Sequence, residues 1–163
     1  MFFDKSPEFK ALCFGKPKKS SDGKYFIVMQ NVDENVYIQF APQLQCHSFN
    51  ESSLELCLAD HLKSKEEFLN ELDEFIMNTC KSKKEQWFNS NEISDSYIDH
   101  AFMPSVKQSK KSKLVMCRIS KDVTVFDSSK NTVPLSSINE KSKLSIICQI
   151  EGLWFTKNRF GLT

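Results

Sequence analysis

Apolar residues form short strand-like runs at both ends of the chain and recur with helical spacing in its middle. Residues 9–14 and 24–30 are rich in aromatic and β-branched side chains, a composition typical of strands. Between them, Pro17 is expected to end the first strand, and Asp22-Gly23 is a turn signal. The pattern therefore predicts a β-hairpin with a lysine-rich loop. The lysines of this hairpin are Lys16, Lys18, Lys19 and Lys24.

Two more strands are predicted before the middle of the chain. Residues 36–40 alternate in polarity, which places Tyr37 and Gln39 on one face. Pro42 is expected to end this strand, because proline cannot donate a ladder hydrogen bond. Residues 54–58 are the fourth strand candidate.

The middle of the chain has a helical pattern. Ser64 and Glu67 have the spacing of a capping box, which predicts that a helix begins with Ser64 at its N-cap. The apolar positions that follow at helical spacing are Phe68, Leu69, Leu72, Phe75 and Ile76. The positions expected to face solvent are Glu66, Glu67, Asn70, Glu71, Asp73, Glu74 and Asn78. A shorter helix is predicted near residues 94–103, ended by Pro104.

Strand-like runs return after a basic segment at 107–113, which is expected to be a linker. The candidates are residues 114–119, 123–126 and 144–155, the last of which flanks Gly152. Strands followed by helices and then by strands indicate an α+β fold, mostly antiparallel β, in a single domain over residues 1–163. Its strands are expected to close into an OB-like barrel, with one or two helices inserted between the early and late strands.

Charge is strongly segregated although the net charge is only +1. Residues 1–30 contain six lysines against three acids, and residues 107–163 contain eleven basic groups against four acids. Residues 31–106 contain five lysines against fourteen acids. If the two basic ends meet in space, they form one positive face that suits a polyanion.

The last residues place three rings and two cations around Asn158, a natural hairpin position. Rings that stack on bases and cations that meet phosphates are what a single-stranded nucleic-acid groove requires. Packing in a β core is the favoured interpretation for Phe26, Phe155 and Phe160 taken individually, whereas for Trp154 core packing and binding are equally supported. The candidate nucleic-acid-binding residues are Lys16, Lys18, Lys19, Lys24, Tyr25, Tyr37, Gln39, Arg118, Trp154, Lys157, Arg159 and Phe160.

Motifs for catalysis or metal binding are missing from the sequence. There is no Gly-rich phosphate loop, zinc-protease motif or nucleophile elbow. The six cysteines include no C-x-x-C pair, and the three histidines have no spacing that implies a shared metal. We therefore expect no enzyme, no metal and no cofactor. No apolar run approaches the ~18 residues of a membrane span, and the start lacks a signal-peptide pattern, so we expect a cytoplasmic protein with no membrane partner.

Several short motifs follow one another along the chain. They are Phe14-Gly15-Lys16-Pro17-Lys18-Lys19, Gly23-Lys24-Tyr25, Tyr37-Ile38-Gln39 with Pro42, Gln86-Trp87-Phe88, Val125-Phe126-Asp127, Gly152-Leu153-Trp154-Phe155 and Phe160-Gly161-Leu162-Thr163. In this order they resemble small proteins of nucleocytoplasmic large DNA viruses, and similar proteins are carried by cytoplasmic linear plasmids of yeasts. The resemblance implies an OB-like single-stranded DNA-binding protein that coats displaced strands during viral or linear-plasmid DNA replication.

Alternatives to this function remain open at the level of sequence. The protein could instead recognise duplex DNA such as a terminal repeat, or act as a protein–protein adaptor that docks replication or transcription proteins through its acidic helix. A metal-dependent nuclease is a third alternative, although the acids avoid the basic segments. The sequence also leaves open whether the protein forms a homo-oligomer.

Overall fold

The computed structural model describes residues 2–3, 9–31, 34–90, 92–109 and 112–163. The chain divides into two compact units, each assembled from separate segments. The first unit contains Met1–Gln39, Ser64–Ser105 and Ile147–Thr163, and the second contains Phe40–Lys63 and Val106–Ile146. The architecture is α+β with mostly antiparallel strands, which confirms the predicted class. The single domain stays a prediction.

The strands and helices are defined as follows. In chain order the strands are β1 (Phe2–Phe3), β2 (Leu12–Phe14), β3 (Lys18–Lys19), β4 (Tyr25–Asn31), β5 (Val36–Phe49), β6 (Ser53–Leu58), β7 (Phe102–Met103), β8 (Val106–Gln108), β9 (Lys113–Arg118), β10 (Val125–Phe126), β11 (Thr132–Val133), β12 (Lys143–Ile150), β13 (Gly152–Phe155) and β14 (Phe160–Leu162). The helices are α1 (Lys63–Ser82), α2 (Lys84–Phe88) and α3 (Asp95–Ala101). Short 3-10 turns occupy Phe9–Ala11, Asp60–Leu62 and Leu135–Ser137.

The main sheet of the first unit joins the N-terminal hairpin to the C-terminal one. Its strand order is β2-β4-β13-β14-β7, and β3 also pairs with β4. The predicted hairpin is confirmed, because β2 and β4 are antiparallel, although the first part of its first strand is a 3-10 turn. Strand β4 then pairs antiparallel with β13, and β13 with β14. Strand β7 completes this order by parallel pairing with β14.

One glycine is required where β12 passes into β13. Gly152 has φ +153°, and a Cβ atom there would lie 1.9 Å from the carbonyl oxygen of Ile27 on β4. Any side chain would therefore force the two strands apart. The close approach explains why the predicted strand at 144–155 is divided into two strands at this glycine.

One face of the sheet packs on an aromatic cluster, in which Trp87 and Phe155 are buried and the other rings are half-buried. Phe155 makes edge-to-face contacts with Trp87 and Phe88, at centroid distances of 6.2 and 5.6 Å. Trp87 also contacts Phe14 at 5.2 Å, and Phe14 in turn stacks on Phe75 of α1 at 6.2 Å. These contacts join the sheet to α1 and α2. They hold the elements together because each aromatic ring buries a large apolar area.

Helix α1 has the predicted apolar stripe, but the helix does not begin where the sequence predicts. Phe68, Leu72 and Ile76 are buried, as the helical spacing requires. The 3-10 turn at Asp60–Leu62 leads directly into the helix at Lys63. Ser64 therefore lies inside the first turn, and the predicted N-cap is wrong.

Asp73 is a second correction on α1. The sequence places this carboxylate with the solvent-facing acids, but only 5% of the residue is exposed. Its two oxygens accept hydrogen bonds from the backbone N–H and the hydroxyl of Ser105, at 2.7 and 2.6 Å. Burial raises the pKa of Asp73 from 3.8 to about 6, and the two hydrogen bonds from Ser105 partly offset this rise. A buried acid therefore fixes the segment that follows β7 to the helix.

The shorter predicted helix is present as α3. The Ser94 hydroxyl caps it by accepting a hydrogen bond from the Tyr97 backbone N–H at 3.1 Å. The helix ends at Ala101, because the next two residues pair with β14 as strand β7. Helix α2 was not predicted, since five residues are too few to show a period.

The second unit is built around antiparallel strands. Strand β6 pairs with β5, with a register irregularity between Cys46 and Ser48, and with β9 on its other side. Strand β8 pairs with β9, β12 pairs with β5, and β10 and β11 form a separate two-stranded hairpin. Alternate residues such as Leu54, Leu56 and Val115 are buried, which confirms the predicted strands at 54–58 and 114–119.

Two predictions about chain breaks are wrong. Strand β5 continues through Pro42, because its ladders with β1 and β6 use residues on either side of this proline. The expected basic linker at 107–113 is mostly a hairpin: β8 and β9 flank it, and the Ser109 N–H donates to the Ser112 carbonyl at 2.8 Å. Lys110 and Lys111 lie outside the described residues. Among the described helices, none has the length and apolar character needed to cross a membrane.

Candidate nucleic-acid interface

A row of side chains crosses the main sheet of the first unit. The strand registers place Lys18 opposite Phe26, Phe26 opposite Trp154, Trp154 opposite Gly161, and Gly161 opposite Met103. Residues paired directly across strands share a face, so these five form one row, which we call the outer row. Phe26 and Trp154 are half-buried, whereas Lys18 and Met103 are exposed.

The Trp154 indole is held against the neighbouring strand. Its Nε1–H donates a hydrogen bond to the carbonyl oxygen of Leu162 at 3.0 Å. A Cβ atom on Gly161 would lie 3.5 Å from Nε1 and 3.0 Å from the carbonyl oxygen of Met103. The tighter of these two contacts is with Met103, so Gly161 chiefly allows β14 and β7 to approach each other. The ring is fixed in orientation and its only N–H donor is already used.

The turn of the N-terminal hairpin carries a cation next to an acid. The Lys24 ammonium lies 2.7 Å from the Asp22 carboxylate, and both side chains are about half exposed. The Lys24 side chain, followed by Ser20 and the Lys24 backbone N–H, lowers the pKa of Asp22 to about 2. Asp22 therefore stays charged and partly neutralises the lysine beside it.

The β13–β14 turn carries two further cations. The backbone N–H and the hydroxyl of Thr156 both donate to the Arg159 carbonyl, at 2.8 and 3.0 Å. The Arg159 N–H donates back to the Thr156 hydroxyl oxygen at 3.2 Å. Lys157 and Arg159 are exposed on this closed turn. Arg159 is two residues from Gly161 along the chain, as Lys24 is from Phe26, and each cation stands directly before the strand that carries its outer-row residue.

A family model matches residues 44–163, which is most of the chain. The chain belongs to this family, DUF5871. The description of the family states that its function is unknown. No curated protein and no solved structure matches the chain significantly.

The DUF5871 match covers part of the outer row. It includes β7, β13 and β14, which carry Met103, Trp154 and Gly161. It begins after the N-terminal hairpin, which supplies Lys18 and Phe26. The outer row therefore combines residues from inside and outside the matched region.

Most of the predicted basic residues lie in these two hairpins. Lys18 is in the outer row, Lys24 is at the turn before it, and Lys157 and Arg159 lie at the β13–β14 turn. Lys16 is exposed in the segment between β2 and β3. The register thus brings the two hairpins that carry the N-terminal and C-terminal cations into one sheet.

Tyr25 and Lys19 belong to the opposite face. They pair with each other, and Tyr25 is opposite Phe155, whose ring is buried in the aromatic cluster. Tyr25 is nevertheless 46% exposed, because it stands at the start of β4. Phe26, not Tyr25, is therefore the ring that shares the face of Trp154.

The prediction that Phe160 contacts nucleic acid is wrong. Only 2% of the residue is exposed. Its ring is stacked on Phe155 at 5.2 Å with an interplanar angle of 5°, and it meets Phe102 edge to face at 5.3 Å. A ring enclosed in this way has no free face for a base.

The remaining predicted residues lie outside the outer row. Tyr37 is half-buried and Gln39 exposed on β5, where buried Val36 and Ile38 confirm the predicted alternation. Strand β5 pairs with β1 there and is not a strand of the main sheet. Arg118 is exposed on β9 of the second unit, opposite Ser53.

Sequence analysis missed two residues beside this site. Met103 joins the outer row through the parallel pairing of β7 with β14, and it is 38% exposed. Tyr97, on α3, reaches the β13–β14 turn: its hydroxyl donates to the Lys157 carbonyl at 3.1 Å. Neither had a local signal, because both contacts join segments far apart in the chain. Among the described residues, no three His, Cys, Asp or Glu side chains are grouped to hold a metal ion.

Proposed function

We propose that the protein binds single-stranded DNA without sequence preference across the outer row. The observation that carries the proposal is the pairing of β4 with both β3 and β13, which puts Lys18, Phe26 and Trp154 side by side on one face. Stacking rings next to cations are the usual composition of a single-strand site.

The state of Trp154 supports stacking rather than base readout. Its N–H is bonded to the Leu162 carbonyl, so the indole has no donor left for a base edge. Stacking tolerates every base, since each has a π-face, and it contributes ~1–3 kcal/mol per ring. A site of this kind discriminates poorly between sequences.

The positions of the cations suggest how the strand lies. Lys24 and Arg159 are each two residues from the outer row, which puts their backbones at most ~7 Å from it. Lys157 stands in the same turn as Arg159. We place the phosphates along this end of the sheet and the bases over Phe26 and Trp154, so that the nucleic acid crosses the strands.

The wider context of the proposal comes from the family resemblance described above. We propose that the strands form an OB-like barrel and that the protein works in the cytoplasm, coating strands displaced during viral or linear-plasmid DNA replication. Replication or transcription proteins are the proposed further partners.

The test is a fluorescence-anisotropy titration of labelled oligo-dT with the wild type and with Phe26→Leu and Trp154→Leu. Leucine keeps apolar cover on the sheet but removes the ring. We expect each variant to weaken binding about fivefold or more. Phe126→Leu is the matched control, because Phe126 is 61% exposed on β10 of the second unit. Circular dichroism and thermal melting check that all three variants fold.

Competition with unlabelled DNA separates the alternatives. Excess poly-dT should displace the labelled strand, whereas an equal amount of duplex should not. Equal displacement by duplex would favour duplex recognition over the proposal. Absence of oligo-dT binding by the wild type, or an equal loss in Phe126→Leu, would refute the proposed site.

A further inference from the structure

Tyr97 connects helix α3 to the turn that carries Lys157 and Arg159. Its hydroxyl donates a hydrogen bond to the Lys157 carbonyl at 3.1 Å, although sixty residues separate the two in the chain. The ring is 45% exposed, so it stands at the surface beside the turn. This is a contact between a helix and the backbone of a hairpin turn, not a core contact.

Helix α3 is a firm support for this contact. Ile98 has no exposed surface and Ala101 is 5% exposed, so one side of the helix is fixed by packing. On the other side, Asp99 pairs with Lys81 of α1 at 2.6 Å, and Asp95 pairs with Lys84 of α2 at 2.5 Å. Exposed ion pairs contribute little to stability, so the apolar packing is the stronger of the two anchors.

The hydrogen bonds within the β13–β14 turn lie at its first and last residues. Thr156 and Arg159 bond to each other at the point where β13 and β14 separate. The Lys157 carbonyl lies beyond that point, and Tyr97 is the donor that meets it. Without the hydroxyl, the backbone between Thr156 and Arg159 gains freedom, and the two cationic side chains spread over more orientations.

We propose that Tyr97 is a positioning residue that holds the β13–β14 turn so that Lys157 and Arg159 face the bound nucleic acid. The effect on binding rests on the proposed function, whereas the hold on the turn does not. Preorganised cations lose less entropy when they meet phosphates, so removal of the hydroxyl should weaken binding even though the hydroxyl touches no nucleotide.

The experiment compares Tyr97→Phe with the wild type in two assays. Trypsin cleaves after Lys157 and Arg159, and the rates at these two bonds, followed by mass spectrometry, report the freedom of the turn. We expect Tyr97→Phe to raise both rates about threefold to tenfold and to weaken oligo-dT binding about twofold to fivefold. Ser82→Ala is the matched control, because it also removes an exposed hydroxyl that donates to a backbone carbonyl, that of Thr79 on α1.

Each outcome bears on a separate part of the proposal. Unchanged cleavage in Tyr97→Phe would show that the hydroxyl does not hold the turn. Faster cleavage with unchanged oligo-dT binding would show that the turn cations do not contact the strand. Full binding by Tyr97→Phe with a loss in Tyr97→Ala would assign the ring itself to stacking, against a positioning role. If the wild type bound no oligo-dT, the proposed function would fail, while faster cleavage would still support the hold on the turn.

Discussion

At the scale of single residues, the buried carboxyl of Asp73 should make the stability of the protein depend on pH. Its carboxylate is buried on the apolar side of α1 and accepts two hydrogen bonds from Ser105. These bonds satisfy the oxygens but do not replace all of the water that a charged carboxylate loses. The protonated form is therefore favoured in the folded state, and the pKa rises to about 6.

We predict that this residue lowers stability as pH rises. A carboxyl whose pKa is higher in the folded than in the unfolded state favours folding at low pH, and the benefit is lost between about pH 4 and pH 6. A rise of about two pKa units corresponds to ~3 kcal/mol at most. Asp73→Asn keeps the shape and a hydrogen bond to Ser105 but cannot ionise. The free energy of unfolding of the variant relative to wild type should therefore increase by up to that amount from pH 4 to pH 7.

Urea unfolding at several pH values measures this difference. Glu71→Gln is the control, because Glu71 is exposed on the same helix. A difference between Asp73→Asn and wild type that stays constant across the range would contradict the prediction.

The aromatic residues of the main sheet show how much of the site can be predicted from the sequence. Alternation assigns Phe26 and Trp154 to one face and Tyr25, Phe155 and Phe160 to the other once the strands are known. It does not tell which face is covered by helices, since both carry aromatic rings. The sequence groups Phe160 with the rings and cations around Asn158, whereas the packing of α2 and β7 against its ring shows that Phe160 is on the covered face.

At the scale of elements, the local sequence pattern is enough to predict a helix or strand where buried residues recur at a regular spacing. The stripe of α1 and the runs of β6 and β9 were predicted from such patterns, and all three are present. Predictions failed where a distant partner decides the structure. Met103 becomes part of a strand because β14 lies beside it, and the lysine-rich segment at 107–113 becomes a hairpin because β8 and β9 pair.

The N-terminal hairpin gives a prediction in which a substitution strengthens binding. Asp22 lies 2.7 Å from Lys24 and stays charged because that lysine lowers its pKa. Asp22→Asn should free the lysine for phosphate and remove a repulsive charge. We expect oligo-dT affinity to rise about twofold to threefold at low salt, with little change at high salt where exposed charges are screened.

Asp122→Asn is the matched control for this hairpin variant. Asp122 is also exposed, lies in the second unit, and its replacement changes the net charge by the same amount. Anisotropy titration at low and high salt measures both variants. An equal gain in Asp122→Asn would show that net charge, rather than the hairpin, controls binding.

At the scale of the whole molecule, the segregation of charge raises the question of whether the basic ends of the chain meet. The pairing of β4 with β13 answers it for the two terminal hairpins, which share the main sheet of the first unit. The sequence could not show that the chain divides into two units, because each unit combines segments that are distant in sequence. The basic residues between 106 and 146 belong to the second unit and are not part of the outer row.

This arrangement predicts that salt dependence comes mainly from the cations of the terminal hairpins. For single strands, the slope of log affinity against log salt falls by about 0.7 for each phosphate contact removed. The triple variant of Lys18, Lys157 and Arg159 to Gln should therefore reduce the slope by about 2. The control triple replaces Lys121, Lys141 and Lys143, which are exposed in the second unit, and removes the same total charge. Anisotropy titrations over a series of salt concentrations give both slopes. If the two triples reduced the slope equally, the strand would be held by the charge of the whole protein, and the cations of the terminal hairpins would have no special role. If only the first triple reduced the slope, the phosphates that lose their counterions on binding would be those in contact with the terminal hairpins.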